Sequence, residues 1–482
     1  MQRNLLFILF LGSVLAKVPA QQLVSVLPLG SKTQAQLVSE FGLPLVQFGT
    51  NYYRITYTTT NVQGQLDTVS GLVALPDDTT KTYPRLVYQH GTSGSKLDVP
   101  SFTANSSGTE GSVGLLAAGL GFIALLPDYL GLGVSDGFHP YVHAASEASV
   151  AIDMLKALPA FTATYGIHPN NQLFITGYSQ GGHASMALHR AIETDTASPF
   201  TVTAATHLSG PYSIGGVMRN LILSDSIYYY PAYLPNTILS YQTVYGNLYN
   251  QIGDVFKAPY ATTIDLFFKG SISLNTLNNQ LIAQLTANEG APRPLRMLQP
   301  AMVQAVESDP NHPFNIALRE NNVYAWAPKA PTRIFYCMAD DQVPYQNSLI
   351  AFDTMTMLGA VNLVAQDVNP QADHGECYLP ALTNTIFFFL NYRQIGAYTA
   401  TGDPAVAALR FYPNPANQTI LLQNLPAGGR LQVFDIGGQL RLTGRPDAGD
   451  ARLDVSGLEN GLYLMRFETA SGVRQGKLIV QH

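Results

Sequence analysis

The chain has 482 residues, 46% hydrophobic and 12% charged, with a formal net charge of −6. These values describe a globular protein long enough for two folded units, not a disordered one. Its 26 Lys and Arg stand against 32 Asp and Glu without a basic run, which leaves no electrostatic footprint for nucleic acid. The first residues read as a targeting segment. Arg3 supplies a positive start, 5–15 is almost wholly apolar, and Val18-Pro19-Ala20 has the form of a small-residue cleavage site, so 1–20 is expected to be a signal peptide. That apolar run is shorter than the roughly 20 residues a spanning helix needs, and no later stretch reaches that length, so no transmembrane span is expected in the mature chain.

Runs over 52–59, 69–75 and 85–90, rich in β-branched and aromatic residues and set between turn formers, read as antiparallel opening strands. The period then changes. Runs over 122–126, 173–176 and 202–208 are continuously apolar and alternate with helical patterns over 145–158 and 180–192. This predicts an α/β fold with a mostly parallel sheet covered on both faces. From about 212 to 328 no strand pattern occurs, and the segment reads as an inserted helical lid. Within it Tyr228, Tyr229, Tyr230 and Tyr233 are interrupted by Pro231 and Pro235, and Tyr241, Tyr245 and Tyr249 recur at helical spacing. Such a stripe offers surface for apolar ligands; it equally describes the buried face of a helical subdomain.

Strand patterns resume over 333–337 and 361–368, and a last helix is expected over about 379–392, so that the domain spans 21–396. A linker over 397–407 then leads to an all-β tail over 408–482. Its strands are expected over 419–422, 430–435, 439–442, 462–467 and 477–481, with a hairpin turn at Gly437-Gly438, the pattern of a small sandwich.

The chemistry centres on Gly177-Tyr178-Ser179-Gln180-Gly181, which follows a buried strand and opens a helix. That is the context of a nucleophile elbow in an α/β hydrolase, and flanking glycines permit the strained turn that lifts the Ser179 hydroxyl from the sheet. The alternative is a serine capping a helix after a glycine-rich turn. The Gln180 amide, at the helix start, points to where an oxyanion would form. Serine needs an imidazole to take its proton and a carboxylate to orient the imidazole, following it in the order acid, then histidine. Asp340, after the strand pattern 333–337, and His374, in Asp373-His374-Gly375, are the candidates. Asp341 adjoins Asp340 as a rival acid, and Asp373 is a poor one, being next to His374 in sequence. His183 and His189, on the helix after the elbow, read as packing residues, and His207 sits late in an apolar strand.

His90 ends a strand in Gln89-His90-Gly91-Thr92 and reads as a structural anchor, with the amide of Thr92 or its neighbour as second oxyanion donor. Asp128 is assigned to bracing its loop. The two cysteines, Cys337 and Cys377, sit beside Asp340 and His374. Export permits a disulfide that would tie the two loops together; the alternative is two buried thiols. No acidic or histidine cluster has metal spacing and no glycine-rich loop cradles phosphate, so neither metal nor cofactor is expected.

The octapeptide from Gly177 to Ala184, the segment Pro127-Asp128-Tyr129-Leu130-Gly131-Leu132-Gly133, the long insertion and the loop Asp340-Asp341-Gln342-Val343-Pro344 together resemble the secretory lipase family of α/β hydrolases, over roughly 72–392. The resemblance implies Ser179, Asp340 and His374 as the triad and acyl esters, lipid esters included, as substrates. Cys337 departs from the glycine common at the start of the acid loop. The tail, through Phe411-Tyr412-Pro413-Asn414-Pro415-Ala416, Asp435-Ile436-Gly437-Gly438, Leu462-Tyr463 and Lys477-Leu478-Ile479-Val480, is similar to the type A sorting domain of the type IX secretion system of Gram-negative bacteria. That similarity implies passage through the periplasm and, by the outer-membrane secretion machinery, to the surface or medium. A carbohydrate-binding or packing module is the alternative, without an aromatic platform to favour it. The expectation is an exported serine carboxylic-ester hydrolase. A serine peptidase would use the same triad, but this lid is poor in acids that would hold a free amino end; a surface binding protein would leave the triad idle.

Overall fold

The computed structural model describes residues 22–398, 407–435, 439–469 and 472–482. The expected signal peptide, most of the linker over 397–407 and the Gly437-Gly438 turn lie outside them. The chain divides between Ala397 and Tyr398 into two compact units.

The first unit is built on one sheet of β1 (Leu23–Lys32), β2 (Thr50–Thr60), β3 (Leu66–Pro76), β4 (Lys81–Gln89), β5 (Ile123–Pro127), β6 (His168–Gly177), β7 (Ala204–Leu208), β8 (Thr332–Tyr336), β9 (Leu363–Asp367) and the short β10 (Gly396–Ala397). The order is β1-β2-β3-β5-β4-β6-β7-β8-β9, with β10 paired to the start of β4. Pairings up to β3-β5 are antiparallel, and those from β5-β4 to β8-β9 are parallel. The helices that matter below are α1 (Glu110–Gly119), α2 (Ala144–Tyr165), α3 (Gln180–Thr194), α4 (Tyr233–Tyr245), α5 (Leu274–Glu289), α6 (Gln346–Met357) and α7 (His374–Leu390).

Continuously apolar strands are buried on both faces because successive side chains point oppositely. Val73, Val87, Leu125 and Ile175 pack with Val150, Met154 and Leu158 of α2 and Leu188 of α3. Their neighbours Leu72, Leu86, Leu126 and Phe174 pack with Leu115 and Leu116 of α1 and Leu382 and Phe389 of α7 on the other side. The segment between β7 and β8 forms a helical insertion with its own core. In α5, Leu274, Leu277, Leu281 and Leu285 recur at three- and four-residue spacing and are buried. Ser273 caps its N-terminus and Gly290, at φ 79°, its C-terminus.

Several elements differ from expectation. The run 85–90, read with the antiparallel opening strands, pairs in parallel with β5 and β6 as part of β4, and the tail has an unexpected strand over Gly449–Asp454. β1 is largely exposed along its length, so it lacks the alternation that marks a half-buried strand. Helix α2 runs through Pro159 to Tyr165 instead of stopping at 158, since packing of Phe161 in the core outweighs the lost backbone bond. Helix α7 begins at His374, five residues before the expected 379, because the Asp373 side chain accepts from the Glu376 amide at 2.8 Å and caps it there.

The second unit is all-β. Strands β11 (Ala407–Ala408), β12 (Phe411–Tyr412), β13 (Thr419–Leu425), β14 (Arg430–Asp435), β15 (Leu440–Gly444), β16 (Gly449–Asp454), β17 (Gly461–Thr469) and β18 (Gly472–Val480) form two sheets, β11-β18-β17-β14-β15 and β12-β13-β16. Leu422 from one and Val433, Met465, Phe467 and Leu478 from the other share a core. No helix among the described residues is long and apolar enough to cross a membrane.

Candidate active site

Strand β6 ends at Gly177 and α3 begins at Gln180, leaving two residues to reverse the chain. Ser179 takes up the turn at φ 59°, a left-handed conformation costly for a residue with a side chain. The surrounding backbone is so close that only glycine fits. A Cβ at Gly177 would lie 2.2 Å from the Gly181 carbonyl oxygen, and one at Gly181 1.9 Å from that of Gln89. Gly181→Ala is therefore expected to destabilise the first unit by at least about 4 kcal/mol, read as a large drop in thermal midpoint; an unchanged midpoint would mean the elbow yields more readily than its packing implies.

The strain presents the Ser179 hydroxyl to a ring. Ser179 Oγ lies 2.8 Å from His374 Nε2, and His374 Nδ1 lies 2.7 Å from Asp340 Oδ2. His374 is the first residue of α7, after β9, and Asp340 follows β8, so the parallel strands β6, β8 and β9 deliver all three groups to the carboxyl ends of the sheet. The Asp340 carboxylate is buried, and its other oxygen accepts from the amides of Gln342 at 3.0 Å and Val343 at 2.8 Å. The rival acids are occupied elsewhere. Asp341 accepts from the His374 amide at 3.2 Å rather than from its ring, and Asp373 caps α7. The Tyr178 hydroxyl donates to the His374 carbonyl, and its ring packs 5.0 Å from the imidazole. Cys337 and Cys377 are joined, with Cα atoms 5.9 Å apart, between the loop of Asp340 and the helix of His374.

The Gln180 amide stands at the first position of α3, where a helix leaves its N–H groups without intrahelical acceptors. Its side chain donates to Glu147 Oε1 at 2.9 Å and meets His139 Nε2 at 2.8 Å, while Glu147 Oε2 is bonded to His183 Nδ1 at 2.7 Å. His183 is thus part of a polar brace under the elbow. Burial pushes the His139 ring down to about 4. Thr92 lies across from the elbow, one residue beyond Gly91; a Cβ at Gly91 would come within 3.7 Å of the Ser179 Cβ. The Thr92 hydroxyl meets the Tyr141 hydroxyl at 3.0 Å.

His90 is buried, with Nδ1 2.8 Å from the Gly91 carbonyl and its ring stacked 4.2 Å from Tyr129. Burial lowers its pKa to about 4, which keeps it neutral. Asp128 accepts from Ser70 Oγ at 2.6 Å, Ser101 Oγ at 2.5 Å and the Ser101 amide at 3.0 Å, tying three segments together. His189 and His207 are buried against each other, 3.3 Å apart, and His207 Nδ1 meets Ser185 Oγ at 2.8 Å. Among the described residues no cluster of His, Cys, Asp or Glu could hold a metal ion.

Ser179 opens on a cavity, in part open to solvent, whose walls are almost wholly apolar. Ile214, Met218, Ile238, Leu298, Met302 and Phe314 of the insertion supply most of them. Arg219 also lines it, but its guanidinium is satisfied by Asn315 Oδ1 at 2.7 Å and the Val306 carbonyl at 2.9 Å. Of the tyrosine stripe, Tyr228, Tyr233 and Tyr241 line the cavity, while Tyr229 is exposed and Tyr245 and Tyr249 pack against the insertion's core. Tyr228 and Tyr233 donate to the Gln342 main-chain carbonyl and side-chain oxygen, each at 2.9 Å. Glu147, His139 and Glu110, which bonds Gly91, were not legible as site residues. Nothing in sequence spacing links the two acids to the elbow.

No curated protein sequence matches the chain. Residues 410–481 match the family described as the secretion system C-terminal sorting domain. Among solved structures, the rice cell wall degrading esterase LipA from Xanthomonas oryzae is similar, with 25% identity and a TM-score of 0.68 over 77% of this chain and 96% of that one. A Legionella pneumophila protein named only as a hydrolase has 26% identity and a TM-score of 0.69 over 77% and 98%. Candida antarctica lipase A in its closed state, at 15% identity, has a TM-score of 0.57 over 77% and 81%, a likeness of fold alone. The first unit has the α/β-hydrolase fold, and the second matches the sorting-domain family.

Proposed function

We propose that the protein is an exported serine hydrolase of carboxylic esters with a preference for long acyl chains. The Ser179 oxygen attacks the ester carbonyl while its proton passes to His374 Nε2, and Asp340 holds the ring in the tautomer that can accept it. The amides of Gln180 and Thr92 bind the oxyanion. Collapse breaks the ester C–O bond, His374 returns the proton to the leaving alkoxide, and water repeats the sequence on the acyl-enzyme. One observation carries the reading: a serine hydroxyl 2.8 Å from an imidazole opens directly on an apolar cavity. Acyl chains fit such walls, whereas a peptide would leave its polar backbone unpaired there. The esterase and lipase likenesses support the ester class. The tail supports export by a type IX route to the surface or medium.

The test is hydrolysis of nitrophenyl esters from acetyl to palmitoyl by the mature protein beside Ser179→Ala, with fluorophosphonate labelling in parallel. Long-chain hydrolysis that falls at least about 10,000-fold in the variant is expected. Activity confined to acetyl and butyryl esters would remove the cavity from the acyl site. Labelling without ester hydrolysis would turn the search to peptides, and no labelling at all would leave a binding protein.

A further inference from the structure

We infer that Glu110 is a positioning residue for ester hydrolysis: its half-buried carboxyl pins the backbone after β4 so that the Thr92 amide faces the oxyanion. The inference rests on the hydrolase reading above and adds a residue to it. Both Glu110 carboxyl oxygens lie 2.9 Å from the Gly91 amide, and Oε2 also receives the Tyr88 hydroxyl at 3.0 Å. Behind Tyr88, 3.4 Å away, stands the Tyr378 hydroxyl of α7. Gly91 is clamped between this carboxyl and the nucleophile. A Cβ there would lie 2.9 Å from Glu110 Oε1, 3.4 Å from the Tyr178 carbonyl oxygen and 3.7 Å from the Ser179 Cβ. One residue further on, Thr92 reaches the cavity wall through Tyr141. A shift of Gly91 is therefore a shift of the next amide.

A carboxyl held partly out of water is costly, and no cation stands among the described groups facing this one. Those groups are Tyr88 of β4, Tyr378 of α7, Asp98 from the loop after β4 and Tyr129 from the loop after β5. Burial pushes its pKa up to about 7, against the opposing pull of the Gly91 amide and the Tyr88 hydroxyl. An apolar side chain would fill the same space at less cost. What only an acceptor supplies is the bond to Gly91. Its place as first residue of α1 adds a helix N-terminus that favours the ionised form.

The test compares wild type, Glu110→Gln and Glu110→Ala in the mature protein on one ester, with Ser179→Ala as blank. Glu110→Ala is expected to lower kcat about 100-fold, the scale of one displaced oxyanion donor, with KM within twofold. Affinity for a trifluoromethyl ketone, which forms an oxyanion on Ser179, falls in step with kcat/KM. Glu110→Gln keeps an acceptor oxygen for Gly91 and recovers part of the loss. Because Glu110 ionises as pH rises through about 7, the acid limb of log kcat/KM is expected to be steeper in wild type than in Glu110→Gln, which lacks that proton. If Glu110→Ala does not fold, the pH limb and inhibitor affinity of Glu110→Gln decide. Unchanged kcat, inhibitor affinity and pH limb beside Ser179-dependent hydrolysis would overturn this inference alone. Absence of Ser179-dependent hydrolysis in wild type would overturn the hydrolase reading and this inference with it.

Discussion

Asp340→Asn is expected to lower kcat by about 10,000-fold, the scale seen when a triad acid is replaced by its amide, while Asp341→Asn costs less than about tenfold. The asymmetry follows from hydrogen bonds. Asp340 Oδ1 accepts from the amides of Gln342 and Val343, and Oδ2 faces the His374 ring. In the asparagine variant the remaining oxygen stays with the two amides, so the new NH2 group is turned toward His374 Nδ1. A donor there stabilises the tautomer protonated on Nε2, which cannot take the Ser179 proton. Asp341 meets only the His374 main-chain amide, and its amide analogue retains an oxygen for that bond. Steady-state kinetics of the two variants on one ester decide the matter. Equal losses, or an active Asp340→Asn, would remove Asp340 from the mechanism.

Reducing the Cys337–Cys377 bridge, or replacing both cysteines with Ala, is expected to lower the stability of the first unit by roughly 4 kcal/mol. The bridge spans a sequence separation of 40, and closing a loop of that length in the unfolded chain supplies this entropic contribution. Urea unfolding of the mature protein with and without reductant measures it. Identical midpoints would show that the bridge constrains little. The cysteines stand three residues from Asp340 and His374 respectively, so the partly denatured reduced protein should lose ester hydrolysis in step with that region's unfolding.

Much of this architecture is legible in the residues because two periods carry it. Continuous apolar runs such as 173–176 become two-faced parallel strands, and the elbow glycines announce a turn in which no Cβ fits. What resists reading are groups whose meaning depends on a distant partner. Glu110 belongs with Gly91, and Glu147 with Gln180 and His183, across helices and strands whose packing no local window contains. The choice between Asp340 and Asp341 has the same origin. Two adjacent carboxylates are equivalent in composition, and only the turn made by the Gln342 and Val343 amides separates them. The edge strand β1 lacks a signal because Leu23, Val24, Val26, Leu27 and Leu29 do not alternate with polar residues, and Val24 and Leu27 stay exposed.

The bonds from Tyr228 and Tyr233 to Gln342 have a wider consequence. Gln342 also gives its amide to Asp340, so the cavity wall, the acid loop, the imidazole and the hydroxyl form one mechanical series. On the proposed function, an acyl chain that fills the cavity would bear on the same framework that sets the tautomer, and discrimination among chain lengths is expected as speed of turnover more than as tightness of capture.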